Sequence, residues 1–154
     1  MVAVTPFEPQ DPDFEARVRE SFARQTLMET IGARMTKVFP GEVEIELPFR
    51  DDLSQQHGFL HGAVVAAIAD SACGYSALTL MPEGTAVLTV EYKVNFLSPA
   101  TGDRLVARGR VTKPGRTVTV CVGDVFSVKD QKEKLVATML TTLITVSERE
   151  NLTD

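Results

Sequence analysis

Gly62-Ala-Val-Val-Ala-Ala-Ile-Ala-Asp-Ser-Ala-Cys-Gly-Tyr-Ser-Ala-Leu-Thr-Leu-Met81 is the stretch on which the architecture turns. Asp70 is its one charge, and four of its residues are Gly or Ser. About 20 such residues could cross a bilayer. Yet an acid near the centre costs about 2.5–3.5 kcal/mol in lipid, and no Lys or Arg closely flanks the run as an anchor. The segment reads instead as a buried helix over about 62–81. Being apolar on nearly all sides, it must be covered all round.

The covering is legible on both sides of it. Asp11-Pro12 reads as an N-cap with proline at the first helical position. Phe14, Val18 and Phe22 then recur every four residues, predicting an N-terminal helix over about 12–29 that stops at Gly32, after a loose lead-in over Met1–Gln10. Arg34–Phe39 is a short strand, and Pro40-Gly41 a turn. Val43, Ile45, Leu47 and Phe49 alternate with Glu42, Glu44 and Glu46, the period of a half-buried strand. After Pro82-Glu83-Gly84 come strands at Ala86–Leu97, Arg104–Thr112, Thr117–Val128 and Leu135–Val146, separated by polar turns. Short turns predict an antiparallel meander. The fold class is α+β: a curved antiparallel sheet wrapped around one central helix, with a bare flank left for a second copy of the chain.

At 154 residues and 16.8 kDa the chain is sized for one domain, 1–154, of which 1–31 would be a helical extension. Sixteen Lys and Arg against 21 Asp and Glu leave a net charge of −5, which argues against nucleic acid as a partner. Two cysteines make no disulfide framework, and no signal-peptide pattern opens the chain. The expected setting is reduced and cytoplasmic, with no membrane partner.

Asp70 is the strongest chemical signal. An unpaired carboxylate in an apolar helix is costly, and desolvation raises its pKa toward that of a useful base. The plainer reading is a structural acid bonded to a hydroxyl such as Ser71 or Thr89. His57 and His61 are the only histidines. With Gly58 and Gly62 between and after them and no third ligand nearby, they make a poor metal pair, and no metal is expected. His61 reads more simply as a residue fixing the helix start. Gly62 would sit at the helix N-terminus, where free N–H groups and the positive dipole end suit a carbonyl oxygen becoming an oxyanion.

Eight residues along a helix span about 12 Å, whereas a polarising N–H and a carboxylate must both lie about 3 Å from their reacting atoms. One helix cannot deliver both Gly62 and Asp70 to one carbon. Two antiparallel copies can, so the spacing predicts a dimer with two shared sites. Arg104, Arg108, Arg110, Lys113 and Arg116 fall within 13 residues with no acid among them. They read either as a solvated strand face or as cations for a phosphate-bearing ligand such as a pantetheine-linked nucleotide. Cys73 and Cys121 read as core residues, and no G-x-S-x-G elbow supports a serine triad.

Gln55-Gln-His-Gly-Phe-Leu-His-Gly-Ala63, followed by Asp70 in an apolar helix and by Leu88-Thr-Val-Glu-Tyr-Lys-Val-Asn-Phe-Leu-Ser-Pro-Ala100, resembles the hotdog-fold acyl-CoA thioesterases of the PaaI-like family, related to 4-hydroxybenzoyl-CoA thioesterase. The likeness covers about 32–146. It implies hydrolysis of acyl-CoA, with medium-chain or aryl acyl groups, by a dimer or dimer of dimers that needs no cofactor beyond the CoA of its substrate. It implies Asp70 as general base or nucleophile and the Gly62 N–H as the group polarising the thioester carbonyl. His61 would support that site, and Gln55 and Thr89 would place the water or the carbonyl. Ala63 departs from the family's common second glycine. Two rival readings share the groove: a hotdog hydratase or dehydratase, which would pair the acid with a histidine, and a non-catalytic acyl-CoA-binding protein, which would need a second module.

Overall fold

The computed structural model of the chain describes residues 7–147. Residues 1–6 of the expected lead-in, and 148–154 of the expected 1–154 domain, lie outside the described residues. Two helices open the chain, α1 (Phe14–Ala23) and α2 (Thr26–Ile31). Strands β1 (Arg34–Phe39) and β2 (Glu42–Pro48) follow, then a 3-10 turn at Asp51–Leu53, then the long helix α3 (Gly62–Leu78). Strands β3 (Ala86–Phe96), β4 (Arg104–Lys113), β5 (Val118–Lys129) and β6 (Lys132–Val146) complete it. The six strands form one antiparallel sheet in the order β1-β2-β4-β5-β6-β3, packed around α3. This is the hotdog architecture.

Three expectations need correction. The single N-terminal helix over 12–29 is two helices, broken where Gln25 turns extended (φ −81°, ψ 91°). The break lets α2 bury Met28 and Ile31, which a continuous helix would hold out of phase with Val18. The central helix stops at Leu78 rather than near 81: Thr79 donates to the Ser76 carbonyl at 2.6 Å and accepts the Gly41 N–H at 2.7 Å. Finally, the last four strands are not a simple meander. β4, β5 and β6 are, but β3 pairs with β6 at the edge. The 97–103 segment crosses the ends of β6 and β5 instead of turning back. Leu97 N–H bonds the Val136 carbonyl, and Asp103 N–H the Val128 carbonyl.

The helix sits close to the sheet because two glycines face it. Gly109 of β4 and Gly123 of β5 are directly opposed in register. A Cβ on Gly109 would lie 2.3 Å from the Ala72 carbonyl, and one on Gly123 would lie 2.8 Å from Cys73 Sγ. Ala69, Ala72 and Cys73, all fully buried, supply the matching small face of α3. Arg17 ties α1 to the far end of α3. Its guanidinium donates to the carbonyls of Leu78, Met81 and Pro82 at 2.9–3.0 Å and pairs with Asp11 at 3.0 Å. It thereby adds a charged donor at the end of the helix, where the Leu78 carbonyl also accepts the Met81 N–H and the Pro82 carbonyl the Thr85 hydroxyl.

Gly109→Ala tests the close approach. Its Cβ meets backbone, which cannot swing aside, so the loss should reach the upper end of the ~1–3 kcal/mol typical of overpacking. The expected result in thermal melts is a large fall in Tm or failure to accumulate as folded protein; an unchanged Tm refutes the packing account.

Candidate active site

Asp70 lies on the flank of α3, one residue past the face that meets the glycine pair. It is half-buried, and Thr89 of β3 donates to its Oδ1 at 2.8 Å. Burial pushes its carboxyl above the ordinary aspartate range, and the Thr89 hydroxyl only partly opposes this. A pocket of about 110 Å³ opens beside it, lined also by Gln25, Ser71, Tyr75 and Leu143.

The other half of the expected site is at the start of α3. His61 is the N-cap, and its Nδ1 accepts the Ala63 N–H at 2.9 Å, leaving Nε2 as the donor of the neutral ring. The N–H groups of Val64 and Val65 bond the His61 carbonyl. Among the described residues Gly62 N–H has no partner, so it is the free donor of the first turn. Gln55 opens the turn before it, and its side-chain oxygen accepts the His57 N–H while its amide NH₂ stays available. Gln55 and Gly62 line one pocket of about 250 Å³ with Phe96 and Pro99. A Cβ on Gly62 would sit 3.1 Å from the Phe96 ring.

The structure thus brings Asp70 and Thr89 together, and separately Gln55, His61 and Gly62. The two pockets share no lining residue, in keeping with the ~12 Å between Gly62 and Asp70 along the helix.

The five cations are not gathered. From Arg104 to Lys113 the strand runs about 30 Å, more than one diphosphate can touch. Arg108 is held by Glu44 at 2.8 Å and by both oxygens of Glu133, and stacks over Phe126. Arg110 pairs with Asp124 at 2.8 Å, and Arg104 with Glu46 at 3.5 Å. Glu44, expected on a polar face, is buried. Desolvation raises its pKa, but hydrogen bonds from Arg108, Lys37 and Thr36 outweigh that and hold it below the usual range. Lys113 and Arg116 have no ion pair among the described residues.

Cys73 and Cys121 are fully buried. Burial pushes the Cys73 thiol well up and the Cys121 thiol to about 11, the Ser76 hydroxyl only partly opposing the latter, so neither is a thiolate at neutral pH. No cluster of three or more potential metal ligands occurs among the described residues, and no helix there is long and apolar enough to cross a membrane.

Two residues, one at each pocket, escaped the sequence reading. Gln25, at the helix break, accepts the Ser71 hydroxyl at 3.0 Å. Its signal was a slip in phase: the 14-18-22 stripe should continue at 25 or 26 and at 29, where the chain has Gln25, Thr26 and Glu29. Phe96, against Gly62, was visible only as one apolar position of a long strand.

Comparison with known proteins identifies the family. Residues 57–134, half of the chain, match the thioesterase superfamily. A thioesterase family protein of Silicibacter pomeroyi is 50% identical in its crystal structure, with a TM-score of 0.86 over 87% of this chain and 98% of that one. A 1,4-dihydroxy-2-naphthoyl-CoA hydrolase of Listeria monocytogenes is 24% identical over 80% of this chain and 98% of its own length. The PaaI protein of Escherichia coli, 19% identical, shares the fold with a TM-score of 0.78 over 94% of this chain and 98% of that one. The matched family and the sheet define a hotdog enzyme of the thioester-hydrolase class. The chain belongs to the thioesterase superfamily.

The raised Asp70 pKa makes a prediction about stability. The folded state holds that proton more tightly than the unfolded chain, so the site is most stabilising below the ordinary aspartate pKa. Stability is lost as pH rises through the folded value. Asp70→Asn removes the charge and should raise Tm at neutral pH. The gain should vanish below about pH 3.9, where the native acid is neutral too. A neutral-pH Tm below that of the native protein contradicts this.

Proposed function

We propose that the protein hydrolyses acyl-CoA thioesters to a free carboxylic acid and CoA, as a dimer whose two sites each combine Gly62 of one chain with Asp70 of the other. The observation that carries the reading is Asp70: a desolvated carboxylate, held by the Thr89 hydroxyl, at the mouth of a pocket on the central helix. The Gly62 N–H, with the positive end of α3 behind it, polarises the carbonyl. His61 fixes that turn and Gln55 offers its amide to the same oxygen. Asp70 takes the proton of a water that attacks the carbonyl carbon, or attacks it directly to give an anhydride that water then opens. In either route the C–S bond breaks and the CoA thiolate leaves and is protonated. Lys113 and Arg116 are the cations left to meet CoA phosphates.

The dimer is supported by β3. It is an edge strand, and Leu88, Val90, Tyr92 and Phe96 stand 42–56% exposed along it. A row of apolar side chains on an unpaired edge is a surface that proteins cover.

The test is free-thiol release from a panel of short, medium, long and aryl acyl-CoAs. Turnover should rise with pH to a plateau, with an apparent pKa above the ordinary aspartate range. Asp70→Asn should lose at least ~10²-fold, the scale of a general base. Turnover surviving in the variant would make Asp70 structural.

Site sharing has its own test. Asp70→Asn and Gly62→Pro, which removes the free N–H yet suits the first helical position, should each be inactive. Unfolded and refolded together, they should recover about a quarter of native activity, since half the dimers are mixed and each carries one intact site. No recovery in verified mixed dimers would place both groups of a site in one chain.

A further inference from the structure

Gln25 lines two cavities. One is the pocket of about 110 Å³ that holds Asp70 and Thr89. The other is a groove of about 480 Å³ beneath the N-terminal helices, lined by Phe22, Ala23, Ala33 and Met35, with exposed Arg19, Glu29 and Arg34 at its rim. No other residue lines both. Gln25 stands there because the chain breaks between α1 and α2 at this position, and its Oε1 is held by the Ser71 hydroxyl at 3.0 Å. Ser71 directly follows Asp70, so the partition is tied to the helix that carries the acid.

We propose that Gln25 is the residue that sets acyl length. A substrate whose carbonyl lies at Asp70 has its acyl group end against the Gln25 amide. The groove behind it takes the distal hydrocarbon of a longer chain only when that side chain is displaced. Displacement breaks the Ser71–Gln25 hydrogen bond and leaves polar groups facing hydrocarbon, an uncompensated loss. Acyl groups that end at Gln25 are therefore preferred to longer ones. This rests on the acyl-CoA reading above.

The experiment compares kcat/KM for butyryl-CoA and dodecanoyl-CoA. The ratio between the two is independent of the fraction of enzyme that is folded. Gln25→Ala should raise the dodecanoyl-to-butyryl ratio at least ~10-fold, at the low end of what one pocket methylene discriminates, chiefly through a lower KM for the long substrate. Gln25→Met, of equal reach but without the hydrogen bond to Ser71, should raise the ratio by clearly less than Gln25→Ala. Ser71→Ala, which frees the amide without shortening it, should move the ratio in the direction of Gln25→Ala by a smaller factor, and carries the test if Gln25→Ala does not fold. An unchanged ratio in Gln25→Ala, or Gln25→Met matching it, overturns the partition. Turnover of neither substrate by the native enzyme overturns the partition, and turnover of no member of the acyl-CoA panel overturns the acyl-CoA reading itself.

Discussion

The contact between Gly109–Gly123 on the sheet and Ala69, Ala72 and Cys73 on α3 is the constraint from which the rest follows. A helix ordinarily stands off a sheet by the length of the side chains between them. Here two facing residues have none, and backbone meets backbone. The helix is thereby fixed in depth and in rotation about its axis, since only its small face fits over the glycines. Asp70, next to Ala69, falls on the flank of that face. It is deep enough to be desolvated and lateral enough to reach a pocket and the Thr89 hydroxyl. The site's acid is placed by packing that involves no polar group.

The same rotation fixes what α3 offers at its N-terminus. With His61 satisfying the Ala63 N–H and its carbonyl taking the Val64 and Val65 N–H groups, the first turn is closed except at Gly62. A single outward donor is more selective than an open terminus, because an oxygen can dock at one place only. Phe96 lies over that place and shields it from one side, and a hydrogen bond to a developing oxyanion gains strength where water is kept away.

Much of this was readable in the sequence. The central helix, its acid, its capping histidine and its first glycine occur in a local pattern, and alternation together with the turn residues between strands marked every strand to within a few residues at either end. What was not readable depends on non-local pairing. The 97–103 segment looked like a turn because strand length says nothing about which strand is the neighbour. Its six connecting residues after Leu97 exceed a tight hairpin, a hint that the chain crosses elsewhere. Arg104, Arg108 and Arg110 looked unpaired because acids were sought along the chain. Their partners Glu46, Glu44, Asp124 and Glu133 come from β2, β5 and β6. Gly109 was hidden between two arginines that drew attention to charge.

Strand β3 serves both halves of the candidate site. It contributes Thr89 to the acid and Phe96 to the helix start, so each half of the site is backed by the same strand. Like β1 at the opposite edge, it is unpaired on one side, and its apolar side chains remain exposed. An isolated chain therefore carries both halves of the proposed site, held ~12 Å apart by a rigid helix and opening onto an edge that water does not favour. Closing that edge with a second chain would protect the strand and exclude water from both pockets. It would also bring the Gly62 of each chain toward the Asp70 of the other. In the proposed dimer, burial of an otherwise unstable edge and assembly of the site are one event, which gives a physical reason for an enzyme of this size to divide its site between two chains.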